Sequence, residues 1–184
     1  MSVIYGERVR LRAAEREDLK KFHQWVNDPQ VTRGLTLYLP MSMVDEENWF
    51  NRMTQREQSE KPLVIEIRDG DDWKAIGNCG VFNIEWANGS GELGIMIGEK
   101  PEWNKGYGTE VMILLQRHCF GTLNLNRVSL RVYAENVNAI RTYEKAGFAQ
   151  EGRMRSAVYK NGKYDDVILM GVLRSEWTAR SKEK

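Results

Sequence analysis

The sequence predicts a mixed α/β domain, and three patterns indicate it. Three β-type runs in the middle of the chain are separated by the turn clusters DGDD and ANGSG, which favours three sequential antiparallel strands. From residue 106 onward, helical and strand-like segments alternate, as they do where crossovers connect parallel strands. The pair Asn161-Gly162 then joins two strand-like runs, which is typical of a tight terminal hairpin.

Each predicted element follows from the spacing of its apolar residues. A period of two marks strands, and a spacing of three and four residues marks amphipathic helices. Strands are predicted over residues 8–14, 62–69, 73–86, 91–98, 127–134, 148–159 and 163–174, and about four helices over residues 15–28, 44–58, 106–121 and 137–147. The first helix places Leu19, Phe22, Trp25 and Val26 on one face. We expect a single domain over residues 1–184, with its core over about residues 8–174.

Composition excludes several classes of protein. The 27 lysines and arginines balance 26 acidic residues, so the chain has no basic field that would attract nucleic acid or an anionic membrane. The cysteines, Cys79 and Cys119, are predicted to be buried thiols rather than a disulfide framework. Neither a signal peptide nor a membrane-spanning apolar run is evident, so we expect a cytoplasmic protein. Histidine and cysteine do not cluster in the sequence, so no metal site is expected.

A glycine-rich turn is the strongest local signal. In GELGIMIGEKPEWNKGYGTEVMILLQ a strand ends, a loop carries Gly106 and Gly108, and a helix begins at once. Glycines let a backbone approach a ligand closely, and the unpaired N–H groups of a first helical turn attract anions such as a pyrophosphate. Lys105 adds a cation beside them. A Walker P-loop is absent, and a Rossmann fingerprint would need glycine at Val111.

A second motif follows about thirty residues later. In ENVNAIRTYEKAGF, Asn136 is placed to cap a helix and Gly147 to end it. Together with WNKGYGTE, this segment resembles the GCN5-related N-acetyltransferase (GNAT) superfamily, whose motifs read roughly [QR]xxGx[GA] and NxxAxxxYxxxGF. Within that superfamily the chain is most similar to the branch of ribosomal-protein N-terminal acetyltransferases and spermidine acetyltransferases.

The resemblance implies a fold and a cosubstrate, acetyl-CoA. The fold would be a GNAT-type mixed sheet, with antiparallel N-terminal strands, a splayed parallel pair at the acetyl-CoA site and a C-terminal hairpin. Backbone N–H groups would bind the pyrophosphate, those near Met96 and Ile97 would bind the pantetheine arm and the thioester oxygen, and Asn136 would contact the CoA arm. The residues of the pyrophosphate loop would be Lys105, Gly106, Tyr107, Gly108 and Thr109. The chain departs from the family at Trp103 and Asn104, so pyrophosphate binding must depend more on the backbone and on Lys105.

The resemblance also implies direct transfer of the acetyl group to a primary amine. Tyr143 matches the family tyrosine that protonates the departing thiolate, while a tyrosine there could also simply be part of the core. Glu92 alternates to the face of its strand that borders the expected cleft, and it is the first candidate for a general base. A solvated charge or an ion pair would also explain Glu92, and the alternative bases are Glu85, Asp165 and Asp166.

The acceptor is left open by the sequence. It can be a protein N-terminal amine, a polyamine or another small amine. The loop at residues 31–40, with Arg33, Leu37 and Tyr38, and the stretch at residues 153–166 are predicted to line the acceptor side. A non-catalytic acetyl-CoA-binding regulatory module on the same fold is the alternative function. The sequence also permits a homodimer.

Overall fold

The fold is an eight-stranded sheet with helices on both faces, seen in a computed structural model that describes residues 3–35 and 37–182, the side chains of residues 181 and 182 excepted. The strands follow the order β1-β2-β3-β4-β5-β6-β8-β7. Their bounds are β1 Ile4–Tyr5, β2 Val9–Ala13, β3 Leu63–Asp69, β4 Asp72–Glu85, β5 Ser90–Ile97, β6 Arg127–Tyr133, β7 Ala149–Lys160 and β8 Lys163–Leu173. The predicted mixed α/β class is confirmed.

Five α-helices accompany the sheet in the described part of the chain. They are α1 Leu19–Val26, α2 Met43–Thr54, α3 Tyr107–Gly121, α4 Val137–Lys145 and α5 Arg174–Lys182. The predicted number was about four, and α5 is the addition. It follows β8 directly, and Trp177 contacts Phe120 of α3 with ring centroids 5.5 Å apart. This contact with the core explains why a polar terminal segment is held as a helix.

The connection between β5 and β6 determines the shape of the sheet. Among the described strands, neighbours pair antiparallel except for β5 and β6, which run parallel. The paired residues of β5 and β6 are Ser90 with Arg127, Gly91 with Val128 and Glu92 with Ser129. Beyond Glu92, β5 pairs only with β4, and β6 pairs only with β8. The two strands therefore diverge, and the predicted splayed parallel pair is confirmed.

Two cores form on opposite faces of the sheet. Helices α3, α4 and α5 cover one face, where the alternate β5 residues Leu93, Ile95 and Ile97 pack. Helices α1 and α2 cover the other face, where Met96 packs. This arrangement confirms the predicted alternation along β5. It also means that a ligand placed between β5 and β6 would border both helical layers.

The terminal hairpin forms as the sequence predicts. Asn161 and Gly162 have φ values of 53° and 81°, so both residues adopt the left-handed conformation that a type I′ turn requires.

The two cysteines are free and buried, and burial raises the pKa of the Cys119 thiol to about 12. Within residues 3–35 and 37–182, no helix has both the length and the apolar composition needed to cross a bilayer.

Candidate active site

The turn at the N-terminus of α3 is the candidate anion-binding turn. Gly106 is the residue before the helix and has φ 86°, and Asn104 also lies in the left-handed region at φ 60°. Gly106 has no side chain to bond the first helical turn, and the N–H of Glu110 already donates to the Gly106 carbonyl at 3.2 Å. The N–H groups of Tyr107, Gly108 and Thr109 precede that bond and point out of the helix end. They suit the oxygens of a pyrophosphate.

Both glycines of this turn have steric reasons for their identity. A side chain at Gly106 would be strained because φ is positive, and its Cβ would lie 3.3 Å from Arg8 Nη2. A Cβ at Gly108 would lie 3.2 Å from Cγ2 of Thr142 on α4. The turn is therefore closely packed around a bare backbone. That is the arrangement a phosphate needs for contact with backbone N–H groups.

Lys105 is engaged by neighbouring residues. Its ammonium contacts the Glu102 carboxylate at 2.9 Å, and Lys74 contacts the same carboxylate at 3.1 Å. Hydrogen bonds from Lys105 and then Lys74 lower the pKa of Glu102. The Lys105 carbonyl also accepts a hydrogen bond from Arg8 Nη1 at 3.0 Å. Two cations thus share one carboxylate beside the anion-binding turn, which leaves a net positive charge there.

Trp103, where the chain departs from the family motif, makes a hydrogen bond within the protein. Its indole Nε1 donates a hydrogen bond to the Ile97 carbonyl at 2.8 Å. This bond ties the loop before α3 to the end of β5. The anion-binding turn and the diverging strand are therefore held as one unit.

The hydrogen bonds between β4 and β5 show which of the two candidate backbone donors on β5, Met96 or Ile97, has a free N–H group. Gly98 N–H donates to the Ile76 carbonyl at 2.8 Å, and antiparallel bonding pairs recur every second residue. The Met96 N–H is therefore directed at β4, whereas the N–H groups of Ile95 and Ile97 are directed into the gap where β6 has diverged. Of the two candidate donors, Ile97 has the N–H that faces the gap, while Met96 contributes its side chain to the cleft wall.

Tyr143 lies on α4 and lines the same cleft as the α3 turn. Its ring packs against the core and contacts Phe148, with centroids 6.2 Å apart. Burial raises the pKa of its hydroxyl to about 12. The hydroxyl therefore keeps its proton at neutral pH, as an acid catalyst must.

Asn136 caps α4 and also touches the acceptor side. Its side-chain oxygen accepts the Ala139 N–H at 3.3 Å. Its amide nitrogen lies so close to Gly34 that a Cβ at position 34 would be 2.7 Å away. Capping therefore accounts for the residue, as the sequence predicted, and the contact with Gly34 connects α4 to the loop after α1.

Glu92 lies where β5 and β6 part. It is the last β5 residue in the parallel ladder, and it lines the cleft. Both of its carboxylate oxygens lie 3.3 Å from Nη2 of Arg131 on β6. The expected position in the cleft is thus observed together with the ion pair that was the alternative explanation.

The other candidate bases lie among their own partners. Glu85 accepts a hydrogen bond from the Asn88 amide at 2.6 Å, and Asp166 pairs with Arg153 at 2.6 Å. Asp165 accepts the backbone N–H of Asp166 at 2.8 Å. None of these three carboxylates is among the described residues that line the cleft. They are therefore poorly placed to accept a proton from a bound amine.

The cleft itself joins these parts. It has a volume of about 1200 Å³ and runs from the α3 turn, through the gap between β5 and β6, to the loop between α1 and α2. Arg33, Leu37 and Tyr38 of that loop line its far half, as the sequence predicts. No group of three or more histidine, cysteine or acidic side chains among the described residues could hold a metal ion.

The hairpin β7–β8 holds the acceptor loop in a way the sequence did not indicate. The Lys160 ammonium donates to the Thr32 carbonyl at 2.6 Å and also to the Leu35 carbonyl. Tyr159 and Tyr164, predicted to line the acceptor side, instead pack on each other with centroids 5.0 Å apart and lie exposed outside the described cleft lining. The stretch contributes Met154, Ala157 and Val158 to the cleft instead.

Helix α2 supplies the part of the site that sequence patterns missed. Glu46, Trp49 and Met53 all line the cleft, and their spacing of three and four residues places them on one face of α2. Glu46 is buried, with 3% of its surface exposed, whereas the apolar side chain of Val44, two residues earlier on α2, is 63% exposed. The spacing of Glu46 from Trp49 and Met53 was the available signal.

Known proteins are similar to this chain in both sequence and fold. Residues 8–149 match the family described as an acetyltransferase (GNAT) domain. The spermidine N(1)-acetyltransferases of Vibrio cholerae serotype O1 and Escherichia coli K12 are 30% and 31% identical, over 94% and 95% of this chain and 96% and 90% of their own sequences. The N-acetyltransferase p20 of Bacillus licheniformis is 31% identical over 96% of this chain and 99% of its own.

A solved structure agrees with the whole architecture. The crystal structure of spermidine N-acetyltransferase from Vibrio cholerae, in complex with CoA and spermine, superimposes with a TM-score of 0.85 at 27% identity. The match covers 94% of this chain and 99% of that one. Family, fold and cleft geometry lead to one conclusion: the chain belongs to the GNAT family and is an acetyl-CoA-dependent N-acetyltransferase.

Proposed function

We propose that this enzyme acetylates a primary amine of a polyamine. The observation that carries the proposal is the single continuous cleft that joins the α3 turn and Tyr143 to an acceptor half bounded by α2 and the loop after α1. The relatives named as spermidine N-acetyltransferases, one of them solved with CoA and spermine, support the choice of acceptor. The cytoplasmic location and a homodimer stay predictions.

The chain's own residues would hold acetyl-CoA by backbone contacts. The N–H groups of Lys105, Gly106, Tyr107, Gly108 and Thr109 are proposed to bind its pyrophosphate. The N–H groups of Ile95 and Ile97 are free of the β4 ladder and would bind the pantetheine arm and the thioester oxygen. The cosubstrate supplies the acetyl group as an activated thioester. Met96 and Asn136 would flank it through their side chains.

Positioning and proton transfer make up the rest of the chemistry. The amine nitrogen bonds to the acetyl carbon as the carbon–sulfur bond breaks, so the amine loses one proton and the departing thiolate gains one. Tyr143 is proposed to donate the proton to sulfur, and the proton that the nitrogen loses as the amide forms would restore the Tyr143 hydroxyl through water. An alkyl ammonium with a pKa near 10.4 must first lose a proton, at a cost of about 4.6 kcal/mol at pH 7. Glu92 is proposed to accept that proton through water, with Arg131 holding its carboxylate in place.

An acceptor screen tests the proposal. The enzyme would be incubated with acetyl-CoA and either spermidine, spermine, a peptide with a free α-amine, or glucosamine, while free thiol release is measured. Mass spectrometry would identify the acetylated product. We expect the polyamines to give the highest kcat/KM, and reactions without enzyme control for non-enzymatic acetylation. Faster turnover of the peptide or the aminosugar would contradict the polyamine assignment while leaving the acetyltransferase activity intact.

A further inference from the structure

Glu46 is a buried carboxylate without a bonded partner. It exposes 3% of its surface, and among residues 3–35 and 37–182 no hydrogen bond or ion pair is formed by its carboxylate, whose charged neighbour is His23. Buried carboxylates are normally paired, because an unpaired charge in a protein interior is costly. A group of this kind that lines a ligand cleft indicates that its partner is the ligand.

The position of Glu46 in α2 shows how the fold tolerates it. Ser42 and Asp45 form a capping box at the start of the helix, and Glu46 lies in the first turn, where the helix dipole favours a negative charge. Its backbone N–H bonds to the Ser42 carbonyl at 3.1 Å, but its carboxylate takes no part in the cap. Burial raises the pKa of Glu46, and the charge of the nearby His23 lowers it by a smaller amount.

The other carboxylates of the cleft wall are already used. Glu92 pairs with Arg131, Glu102 with two lysines, and Glu135 with Lys163 at 2.7 Å. Glu60 accepts the Ile84 N–H at 2.9 Å. In the described part of the wall, Glu46 is therefore the acidic side chain whose hydrogen-bonding capacity is left for a ligand.

Two apolar side chains share the face of α2 on which Glu46 lies. Trp49 follows Glu46 by three residues and Met53 follows it by seven, so both share its face of α2. An indole and a thioether offer good contact to methylene groups. The face thus combines one anionic group with an apolar strip.

We propose that Glu46 binds a second, non-reacting ammonium group of the acceptor, while Trp49 and Met53 contact the methylenes between the two amines. This proposal rests on the proposed polyamine acetylation. It assigns selectivity for acceptors with two or more amines over monoamines to one residue of α2. The chemistry is a charge-assisted hydrogen bond from an ammonium to a buried carboxylate.

The test compares spermidine, which has more than one amine group, with a monoamine. The ratio of kcat/KM for spermidine to kcat/KM for n-butylamine is measured at saturating acetyl-CoA for the native enzyme, for Glu46→Gln and for Glu47→Gln. Glutamine keeps the shape and removes the charge. Glu47 is the matched control because it is the exposed neighbour on the same helix. We expect the ratio to fall about tenfold or more in Glu46→Gln, as for loss of one charge-assisted hydrogen bond, and to stay unchanged in Glu47→Gln.

The contrary outcomes are distinct. An equal loss with both amines would assign Glu46 a structural or proton-transfer role, and an unchanged ratio would show that it does not bind the acceptor. A similar fall in both variants would indicate a general surface-charge effect. Each of these overturns the Glu46 assignment and leaves polyamine acetylation standing. If the native enzyme does not acetylate spermidine at all, both the proposed function and this inference fail.

Discussion

Burial decides the chemistry available to Tyr143. A hydroxyl whose pKa is raised to about 12 stays protonated across the physiological range, so it can donate a proton but is a poor candidate for a base. The same burial makes its ring part of the core on α4. Function and packing can therefore be separated only by a change that removes the hydroxyl and keeps the ring.

Tyr143→Phe makes that change. We expect kcat to fall about 10²-fold or more, since general acid catalysis typically contributes 10²–10⁴-fold. The KM for acetyl-CoA should change little, because the lost interaction forms only in the transition state. Steady-state kinetics and a thermal melt check this. A fall in Tm that accompanies the loss of activity would instead assign the residue to the core.

Replacing Glu46 is expected to stabilise the fold at neutral pH. Burial raises the pKa of Glu46 in the folded state above its unfolded value of about 4.3. The free energy of unfolding is therefore unaffected by Glu46 below that pH, where the carboxyl is protonated in both states. It decreases as pH rises through the folded-state pKa, because the buried carboxyl must then ionise. We therefore expect Glu46→Gln to raise Tm at neutral pH by a few degrees, since about 1 kcal/mol corresponds to roughly 2–4 °C in a domain of this size.

Thermal melts over a range of pH test the Glu46 prediction. The advantage of Glu46→Gln should disappear below about pH 4, where the native carboxyl is protonated in both states. Glu47→Gln provides the exposed control. A Glu46→Gln variant that is less stable at every pH would mean that the carboxylate has a stabilising partner.

The sequence predicts motif residues better than isolated ones. Gly106, Gly108, Asn136 and Tyr143 stand in local patterns, so their positions on a turn and a helix could be read directly. Glu46 stands in no motif, and although its spacing places it on one face with Trp49 and Met53, amphipathic periodicity ordinarily assigns a charged residue to the solvent side. Its burial depends on the packing of α2 over the cleft, which only the tertiary structure reveals.

Helix α3 as a whole element carries the proposed anion site. Its first turn offers N–H groups, and Gly108 keeps the approach to them open. We expect Gly108→Val to raise the Kd for acetyl-CoA at least about tenfold, the equivalent of one lost charge-assisted hydrogen bond. Isothermal titration with acetyl-CoA measures this. Unchanged affinity would place the pyrophosphate elsewhere.

The other end of α3 supplies the control for that variant. A Cβ at Gly121 would meet no atom within 4 Å, and its φ is not positive. Gly121→Ala should therefore keep acetyl-CoA affinity and the fold, with a slight gain from higher helix propensity. A loss of affinity in both glycine variants would point to general damage to α3.

Helices and strands whose apolar residues repeat at a regular spacing were predicted from the sequence. Elements that form only through contacts with distant parts of the chain were not. The helices α1 and α3 and the strands β3, β4 and β5 lie close to their predicted ranges. The two-residue strand β1 is too short to show a period, and α5 forms because it reaches α3. Where the β5–β6 ladder ends was implied by family resemblance rather than by the residues, since splaying depends on both strands at once.

At the scale of the whole molecule, the cleft spans both helical layers. A ligand bound there contacts α3 and α4 on one side and the α1–α2 layer on the other. We expect acetyl-CoA to raise Tm, since a ligand that binds only the folded state adds about 2.7 kcal/mol at 100 times its Kd. Differential scanning fluorimetry with acetyl-CoA, with free adenine as a control, measures this. Equal melting with and without acetyl-CoA would contradict the assigned site.

The short ladder between β5 and β6 has a consequence for solubility. Beyond Glu92 the two strands present facing rows of backbone groups that neither strand satisfies for the other. Such rows are edge strands, and exposed edges are templates for intermolecular pairing and aggregation. In the proposed binding mode the extended arm of acetyl-CoA would cover this internal edge. We therefore expect purified protein to aggregate more slowly on storage when acetyl-CoA is present.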